Sequence, residues 1–405
     1  MKILHINQSD IGGGAAIAAY RLHQGLLAKK VNSRLLVGEA KTKSDRVAII
    51  KKYAIEDQLF RFAWRLGLNS LYLASTFNIP KHKFYQDADV INFHNLHLTY
   101  FNYLAIPKLT ASKPAIITLH DMWSFTGHCA YTYDCDRWKI GCGQCPYLDT
   151  YPAIGIDNTR LEWKLKNWVY GRSNLTIVTD SSWLAEQAKQ SMLNRFPIYH
   201  IPYGIDTETY QALDSQQCKS LLGIPDTKKV LLFSAVSIKD YRKGGDLLIK
   251  ALQSLPESVK AEIILLILGH GGENLMETIG VPSMNLGYVS SARLKVIAYS
   301  AADLFLFPTR ADAFGLVAQE AAACGTPTVS FKVGGVPDIV RPGVTGYLAQ
   351  PEDVQDFSNG ILQLLEDENL RQSMSENCRQ IAITEYPLEL QAQRYIDLYT
   401  QVLQD

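Results

Sequence analysis

Residues Leu304–Phe307, reading LFLF, form a wholly apolar run that stops at Pro308. Four consecutive apolar side chains leave no polar face for water. They read as a strand covered on both sides, the habit of parallel sheets between helix layers. A loop follows at 309–313. Gly315 then opens a helical stretch, 316–324, which Gly325 and Pro327 end, and Thr328–Phe331 reads as the next strand. Such a strand–loop–helix–strand unit puts its loop where open α/β sheets bind ligands. The first N–H groups of the helix have no partner within it and suit a phosphate. Glu320 lies one turn into the helix on the face of Leu316, and Asp312 lies just before it. A helix N-terminus with a carboxylate on either side makes a cradle for a sugar nucleotide.

The alternation of apolar runs and helical periods fills the remainder of the 405 residues twice over. In the first half, strands are expected at 2–7, 34–37, 89–93, 115–119, 175–179 and 198–201. Gly12, Gly13 and Gly14 stand between the first of these and an amphipathic helix. That order cradles phosphates, but the full G-x-G-x-x-G spacing is missing, and a tight turn needing positive φ would use the same glycines. The turn-rich PYGIDT at 202–207 marks a domain boundary. Strands at 230–236, 263–268 and 286–289 then lead to the opening unit, and helices are expected over 353–384 and 388–403. Arg242 and Lys243 fall at a strand–helix junction, where adjacent cations can neutralise a diphosphate, although a solvated loop and glycine turn would look the same. Two successive α/β units predict two doubly wound domains facing one another across a cleft.

Lysine plus arginine equals aspartate plus glutamate, so no basic field points to nucleic acid. No run has transmembrane length, and the apolar part of the first residues is too short for a signal peptide. The expected compartment is the cytoplasm. Between 41 and 85, basic residues precede Phe60, Phe62, Trp64, Leu68, Tyr72 and Phe77, with Arg61 and Arg65 four apart. This pattern fits a helix on a membrane surface or an acceptor. It also fits a helix packed on its own domain, the reading preferred here because apolar periodic helices are usually core.

His120, at the end of the strand 115–119, lies on the ligand side of such a sheet and is read as functional; His94 and His97 fit a site or a loop equally. Cys129, Cys135, Cys142 and Cys145 cluster in one loop, 128–146, the last two as C-x2-C. Four thiolates suit a structural zinc, with His128 as an alternative ligand. Packed reduced thiols or two disulfides are the other readings.

The segments PTRADAFGLVAQEAAACGTP, RKGGDLLIKAL, YGIDTETY and the triple-glycine turn resemble, in order, the retaining glycosyltransferases of family 4 (group 1). LHDMWSFTGHCAYTYDCDRW with GCGQCP is similar to a subgroup of bacterial exopolysaccharide and colanic-acid-type synthesis. The resemblance implies the GT-B fold. It implies an acceptor domain at 1–204, completed by a crossover helix in 388–405, and a donor domain at 205–387. The implied reaction moves a hexose-type sugar from a nucleoside-diphosphate sugar to a saccharide or lipid-linked saccharide, with no catalytic metal. The N-terminal domain would touch the inner face of the membrane peripherally. By the same resemblance Glu320 would bind the ribose hydroxyls. Asp312 stands where the family carries a longer glutamate facing the donor sugar. Lys243 and Arg242 would contact the diphosphate and His120 the donor sugar. Gly13, Gly14, Gly269, Val289 and the run Phe314, Gly315, Leu316 and Val317 would line the donor. A sugar-nucleotide epimerase, a nicotinamide oxidoreductase and a non-catalytic nucleotide-sugar binder are the rival readings.

Overall fold

The computed structural model describes residues 1–68 and 70–404; Asn69 and Asp405, which fall within the aromatic segment and the C-terminal stretch read above, lie outside the described residues. The chain divides into two units, one of Met1–Gly204 with Leu388–Asp405 and one of Ile205–Pro387. The first unit is built on strands β1 (Lys2–Ser9), β2 (Asn32–Glu39), β3 (Val47–Ile49), β4 (Val90–Phe93), β5 (Ala115–Leu119), β6 (Thr176–Thr179) and β7 (Ile198–His200). They pair in parallel in the order β3-β2-β1-β4-β5-β6-β7. Helix α1 (Gly14–Ala28) follows β1, with Gly13 as its N-cap residue, and α2 (Ala54–Arg65) follows β3. The strands β4, β5 and β6 are buried at every position; their residues are apolar or β-branched except Asn92, whose amide finds partners within the core.

The second unit carries β8 (Lys229–Ser237), β9 (Ile263–His270), β10 (Ser283–Asn285), β11 (Leu304–Phe307), β12 (Thr328–Phe331) and β13 (Gly346–Ala349). Their order is β10-β9-β8-β11-β12-β13, again parallel. Helices α3 (Gly245–Gln253), α4 (Ala292–Ala301) and α5 (Leu316–Ala323) connect them. In each sheet the chain steps outward in one direction, returns to the centre and steps outward in the other. The returns, β1 beside β4 and β8 beside β11, are the places where connecting loops diverge and leave room for a ligand.

The third strand of this unit lies earlier than its apolar run suggested. β10 pairs Ser283–Asn285 with Leu265, Leu266 and Ile267; the Leu286 N–H and the Gly287 carbonyl still bond β9, and Gly287, at φ 66°, then turns the chain away. β13 lies within a segment that reads as turns, and it pairs with β12 from Gly346 onward.

The last helix, α6 (Leu388–Gln404), packs on the first unit. Ala392, Tyr395, Leu398 and Tyr399 join Ile3, Leu22, Leu26, Val90, Ile116 and Val178 in one buried cluster. A polar seam fixes its register: Asn92 Nδ2 donates to the Tyr399 hydroxyl at 2.8 Å, and Thr118 Oγ1 lies 3.0 Å from the Tyr395 hydroxyl and 2.9 Å from Asn92 Oδ1. Buried hydroxyls satisfied in this way cost little, and each would be costly alone.

Candidate functional site

The second sheet returns to its centre between β8 and β11, and the loops after those strands meet there. After β8, Asp240 Oδ1 accepts the Arg242 N–H at 3.0 Å and forms a short turn, Tyr241–Lys243. Gly244 ends that turn at φ 70°, where a Cβ would lie 1.8 Å from the Pro308 carbonyl oxygen. Only glycine lets the cationic turn press onto the end of β11. The loop after β11 is held in return. Arg310 N donates to the Arg242 carbonyl at 2.8 Å. The Arg310 guanidinium binds both Asp246 oxygens at 2.8 and 2.7 Å, reaches Glu352 at 3.1 Å, and stacks 3.8 Å from the Tyr241 ring centroid. These contacts join the two loops into one rigid piece, and nothing in the local sequence around Arg310 announced them.

Three of the expected site residues meet there. Lys243 Nζ is 2.8 Å, and Arg242 Nη1 3.3 Å, from the same oxygen, Asp312 Oδ2. Asp312 Oδ1 accepts the Phe314 N–H at 3.4 Å, just before α5 begins at its N-cap Gly315. Gly334 lies beneath, since a Cβ there would stand 2.0 Å from the Asp312 carbonyl oxygen. Burial would raise the Asp312 pKa, but the Lys243 and Arg242 charges overcome it and hold the carboxyl down at about 2. Burial and the neighbouring Arg242 charge lower the Lys243 pKa, and Asp312 only partly offsets them. The two shifts agree physically: Asp312 is shared by two cations and is over-stabilised, while Asp240, 3.6 Å from Arg242 Nη2, supplies a second and more distant carboxylate. Both cations stand beside the N-terminus of α5, where orphan N–H groups add positive potential.

Glu320 is gathered elsewhere on α5. Its Oε1 accepts from the Tyr210 hydroxyl at 3.2 Å, and its Oε2 lies 3.3 Å from Lys295 Nζ and 3.5 Å from the Tyr299 hydroxyl of α4. The carboxylate is therefore buried, paired and fixed in direction. Gly269, one residue before the end of β9, lies against the Ala235 carbonyl, and Val289 is buried in the loop after β10. Phe314 is buried; Leu316 and Val317 at the start of α5 are half-buried.

Gly13, Gly14 and His120 belong to the first unit. There His120 is one rung of a buried ladder. His5 Nδ1 lies 2.9 Å from His94 Nε2, His94 Nδ1 lies 2.9 Å from His120 Nε2, and His120 Nδ1 bonds the Tyr203 hydroxyl. The rings are nearly parallel, with centroids 5.1, 5.2 and 5.6 Å apart. Burial raises the Tyr203 pKa, and the Asp180 carboxylate acts on it electrostatically in the same direction. Its negative charge draws the Tyr203 proton toward it, which leaves the hydroxyl oxygen to accept from His120 Nδ1–H. By the same logic His94 and His5 each donate from Nδ1, and the ladder ends at His5 Nε2, which has no partner among the described residues. Burial keeps the three imidazoles uncharged, pushing His5 to about 3 and His120 to about 4, with His94 well below its usual value. Both ring nitrogens of His120 are thus occupied within the unit. His97 forms a separate pair with Asp121 at 3.1 Å.

The four loop cysteines line one cavity of about 20 Å³ with His128. Two of the sulfurs have separate partners: Cys142 accepts the Gly127 N–H at 3.2 Å, and Cys145 lies 3.4 Å from His128 Nε2. Among the described residues no three His, Cys, Asp or Glu side chains are placed to hold one metal ion. The four stand as free thiols and are not paired as disulfides; the zinc reading of Cys129, Cys135, Cys142 and Cys145 remains an expectation. Burial pushes Cys129 up to about 12 and Cys142 to about 11.

Residues 12–209 match the family model described as Glycosyltransferase Family 4, and residues 215–381 match that of Glycosyl transferases group 1. WcaC of Escherichia coli (strain K12), named for colanic acid biosynthesis, is 26% identical over 376 residues, 88% of this chain and 89% of WcaC. The N-acetyl-alpha-D-glucosaminyl L-malate synthase of Bacillus anthracis is 30% identical over 210 residues; that match spans 50% of this chain and 53% of the synthase, about half of each. Among solved structures, sucrose-phosphate synthase from Thermosynechococcus elongatus superposes with a TM-score of 0.74 at 18% identity, covering 99% of both chains. Anabaena HepE in complex with UDP and glucose does so at 0.70 and 18%, again over 99% of both. The fold is GT-B.

Proposed function

The chain belongs to the group 1 glycosyltransferases of family 4, and from that premise we propose that it moves a hexose-type sugar, with retention of configuration, from a nucleoside-diphosphate sugar to a saccharide or lipid-linked saccharide of a cell-surface glycan. The observation that carries this reading is the convergence of Arg242 and Lys243 on Asp312, beside the start of α5. The second unit would hold the donor and the first the acceptor.

The slow event is departure of the nucleoside diphosphate from the anomeric carbon. Negative charge grows on the β-phosphate while the sugar becomes oxocarbenium-like. Cations and helix N–H groups aimed at that phosphate stabilise the transition state more than the ground state. Lys243 and Arg242 supply the charge, and the backbone of Phe314, Gly315, Leu316 and Val317 supplies the N–H groups. Glu320, held by Tyr210, Lys295 and Tyr299, accepts the ribose hydroxyls. Asp312 keeps the two cations in register while the site is empty. His120 contributes its ring face and carbonyl, because its ring nitrogens are taken. The departing phosphate oxygen takes the acceptor's proton, and no metal is required.

UDP-glucose is the first donor to assay, since the Anabaena neighbour is known with UDP and with glucose. Nucleoside diphosphates should raise the unfolding temperature, and Lys243→Ala should lower transfer or donor hydrolysis by about two to three orders of magnitude with the fold retained. Chelators should leave the rate unchanged. Near-normal turnover by Lys243→Ala would refute the assignment. Conversion of the donor with no acceptor and no release of diphosphate would favour an epimerase.

A further inference from the structure

Helix α2 is built inside out. A surface helix normally turns its apolar stripe to the core and its charges to water. Here the only buried residues are Glu56 and Ala63. The Glu56 carboxylate accepts from the Tyr53 and Ser75 N–H groups at 3.0 and 2.7 Å and from the Ser75 hydroxyl at 2.7 Å. That polar anchor, with Ala63, fixes the helix on its unit. Phe60 leans toward Tyr72, their centroids 6.5 Å apart, and Trp64 borders Gly155. The reading of this helix as packed core is therefore overturned: its apolar side chains do not supply the packing.

What remains is a stripe facing outward. Ile55, Leu59, Phe62 and Leu66 recur at four, three and four residues, one face of a helix, and are 59%, 38%, 65% and 36% exposed. The Leu66 carbonyl accepts from Asn158 Nδ2, which brings Ile156, itself 52% exposed, beside the end of the stripe. Arg61 and Arg65 are exposed along one flank and Lys51 before the helix. Against them stands one exposed carboxylate on the helix, Asp57, which Lys52 meets at 3.6 Å. Large apolar side chains bordered by cations match the two parts of an anionic bilayer surface, acyl chains below and phosphates above. No helix among the described residues is long and apolar enough to cross a membrane, so contact would be at the surface.

We infer that α2 is a membrane-docking helix: the Ile55–Leu59–Phe62–Leu66 stripe enters the interface of an anionic lipid surface, and Arg61 and Arg65 lie at its phosphates. The inference does not depend on the donor assignment, because α2 and the Arg242–Lys243 pair belong to different units. The bilayer is favoured over a second copy of the chain because cations flank the stripe without matching carboxylates, and two copies would bring like charges together.

Flotation of the full chain with lipid vesicles tests it. Binding to vesicles containing phosphatidylglycerol should be strong at low salt, weaker at high salt, and much weaker to pure phosphatidylcholine. Leu59→Glu with Phe62→Glu should lower the bound fraction at least tenfold while thermal unfolding stays unchanged, as both side chains are exposed. Arg61→Gln and Arg65→Gln should each lower it about fivefold on anionic vesicles only. The inference is overturned if the unmodified chain does not float with anionic vesicles, or if the Leu59/Phe62 variant floats as well as it does. It is equally overturned if the chain dimerises in sedimentation and that variant is monomeric without any change in vesicle binding.

Discussion

Replacing Asp312 with asparagine probes the donor site most directly. The side chain is 16% exposed and carries two cations on one oxygen. Its carboxyl is held at about 2, against an ordinary 3.8. At 1.36 kcal/mol per unit, that difference is worth about 2 kcal/mol of folding stability. The folded value is depressed, so the contribution is fully present above 3.8 and is lost as pH falls toward 2. Asp312→Asn should therefore destabilise the protein by about 2 kcal/mol, equally at pH near 7 and near 5. In a domain of this size the unfolding temperature should drop by about 4–8 °C. The same substitution removes the carboxylate from Lys243 and leaves Arg242 only Asp240, at 3.6 Å, so an anion gains more by arriving. Urea unfolding of both proteins, with and without UDP, reads both effects. The gap should narrow in UDP, because the variant binds the diphosphate more tightly and so gains more stability from it. Equal stability at neutral pH, a gap that has closed by pH 5, or a gap indifferent to UDP would refute the shared-carboxylate argument.

The histidine ladder predicts acid sensitivity of a different kind. His5, His94 and His120 must stay neutral when folded but take protons near pH 6.5 when unfolded, so stability is lost as pH falls below that value. Between about pH 7.5 and 5.5 three such groups cost about 4 kcal/mol; urea midpoints across that range should show it, and His94→Gln should remove about a third of the slope. Arg310→Lys keeps the charge but cannot bind both Asp246 oxygens and Glu352 together. It should cost about 1–3 kcal/mol and weaken UDP binding by loosening the Lys243 turn, as calorimetry would report. Alkylation of the native protein at mildly alkaline pH should leave Cys129 and Cys142 largely unmodified by mass spectrometry, because burial keeps both as thiols.

The fold was legible wherever burial demanded unbroken apolar runs. Leu304–Phe307, apolar throughout, could only be a central strand, and it is β11; Thr328–Phe331, where Thr328 and Ser330 alternate with Val329 and Phe331, is β12. β13 escaped notice because its Gly346 and the turn before it outweigh four residues of extended chain. The candidate site was legible as residue types and not as contacts. Arg242, Lys243 and Asp312 announce an anion site by charge. Arg310 hides because its partners Asp246 and Glu352 lie 64 and 42 residues away. His5 and His94 looked like a strand residue and a loop residue, and only the pairing of β1 with β4 sets them side by side. In α2 periodicity gave the helix correctly and the wrong face, since Glu56 finds partners in a loop 19 residues on.

The first unit is interrupted in sequence by the whole of the second, and the Ile205 N–H bonds the Tyr386 carbonyl at 2.8 Å where the inserted segment begins and ends. On a ribosome this ordering has a consequence. The strands made first emerge without Tyr395, Leu398 and Tyr399, so the face around Ile3, Val90 and Ile116 has no cover until α6 leaves the tunnel. The inserted unit, contiguous and with its own core, can finish folding before then. The half of the protein that is synthesised first is therefore completed last, and a chain truncated before residue 388 should carry a finished second unit and an unsealed first one.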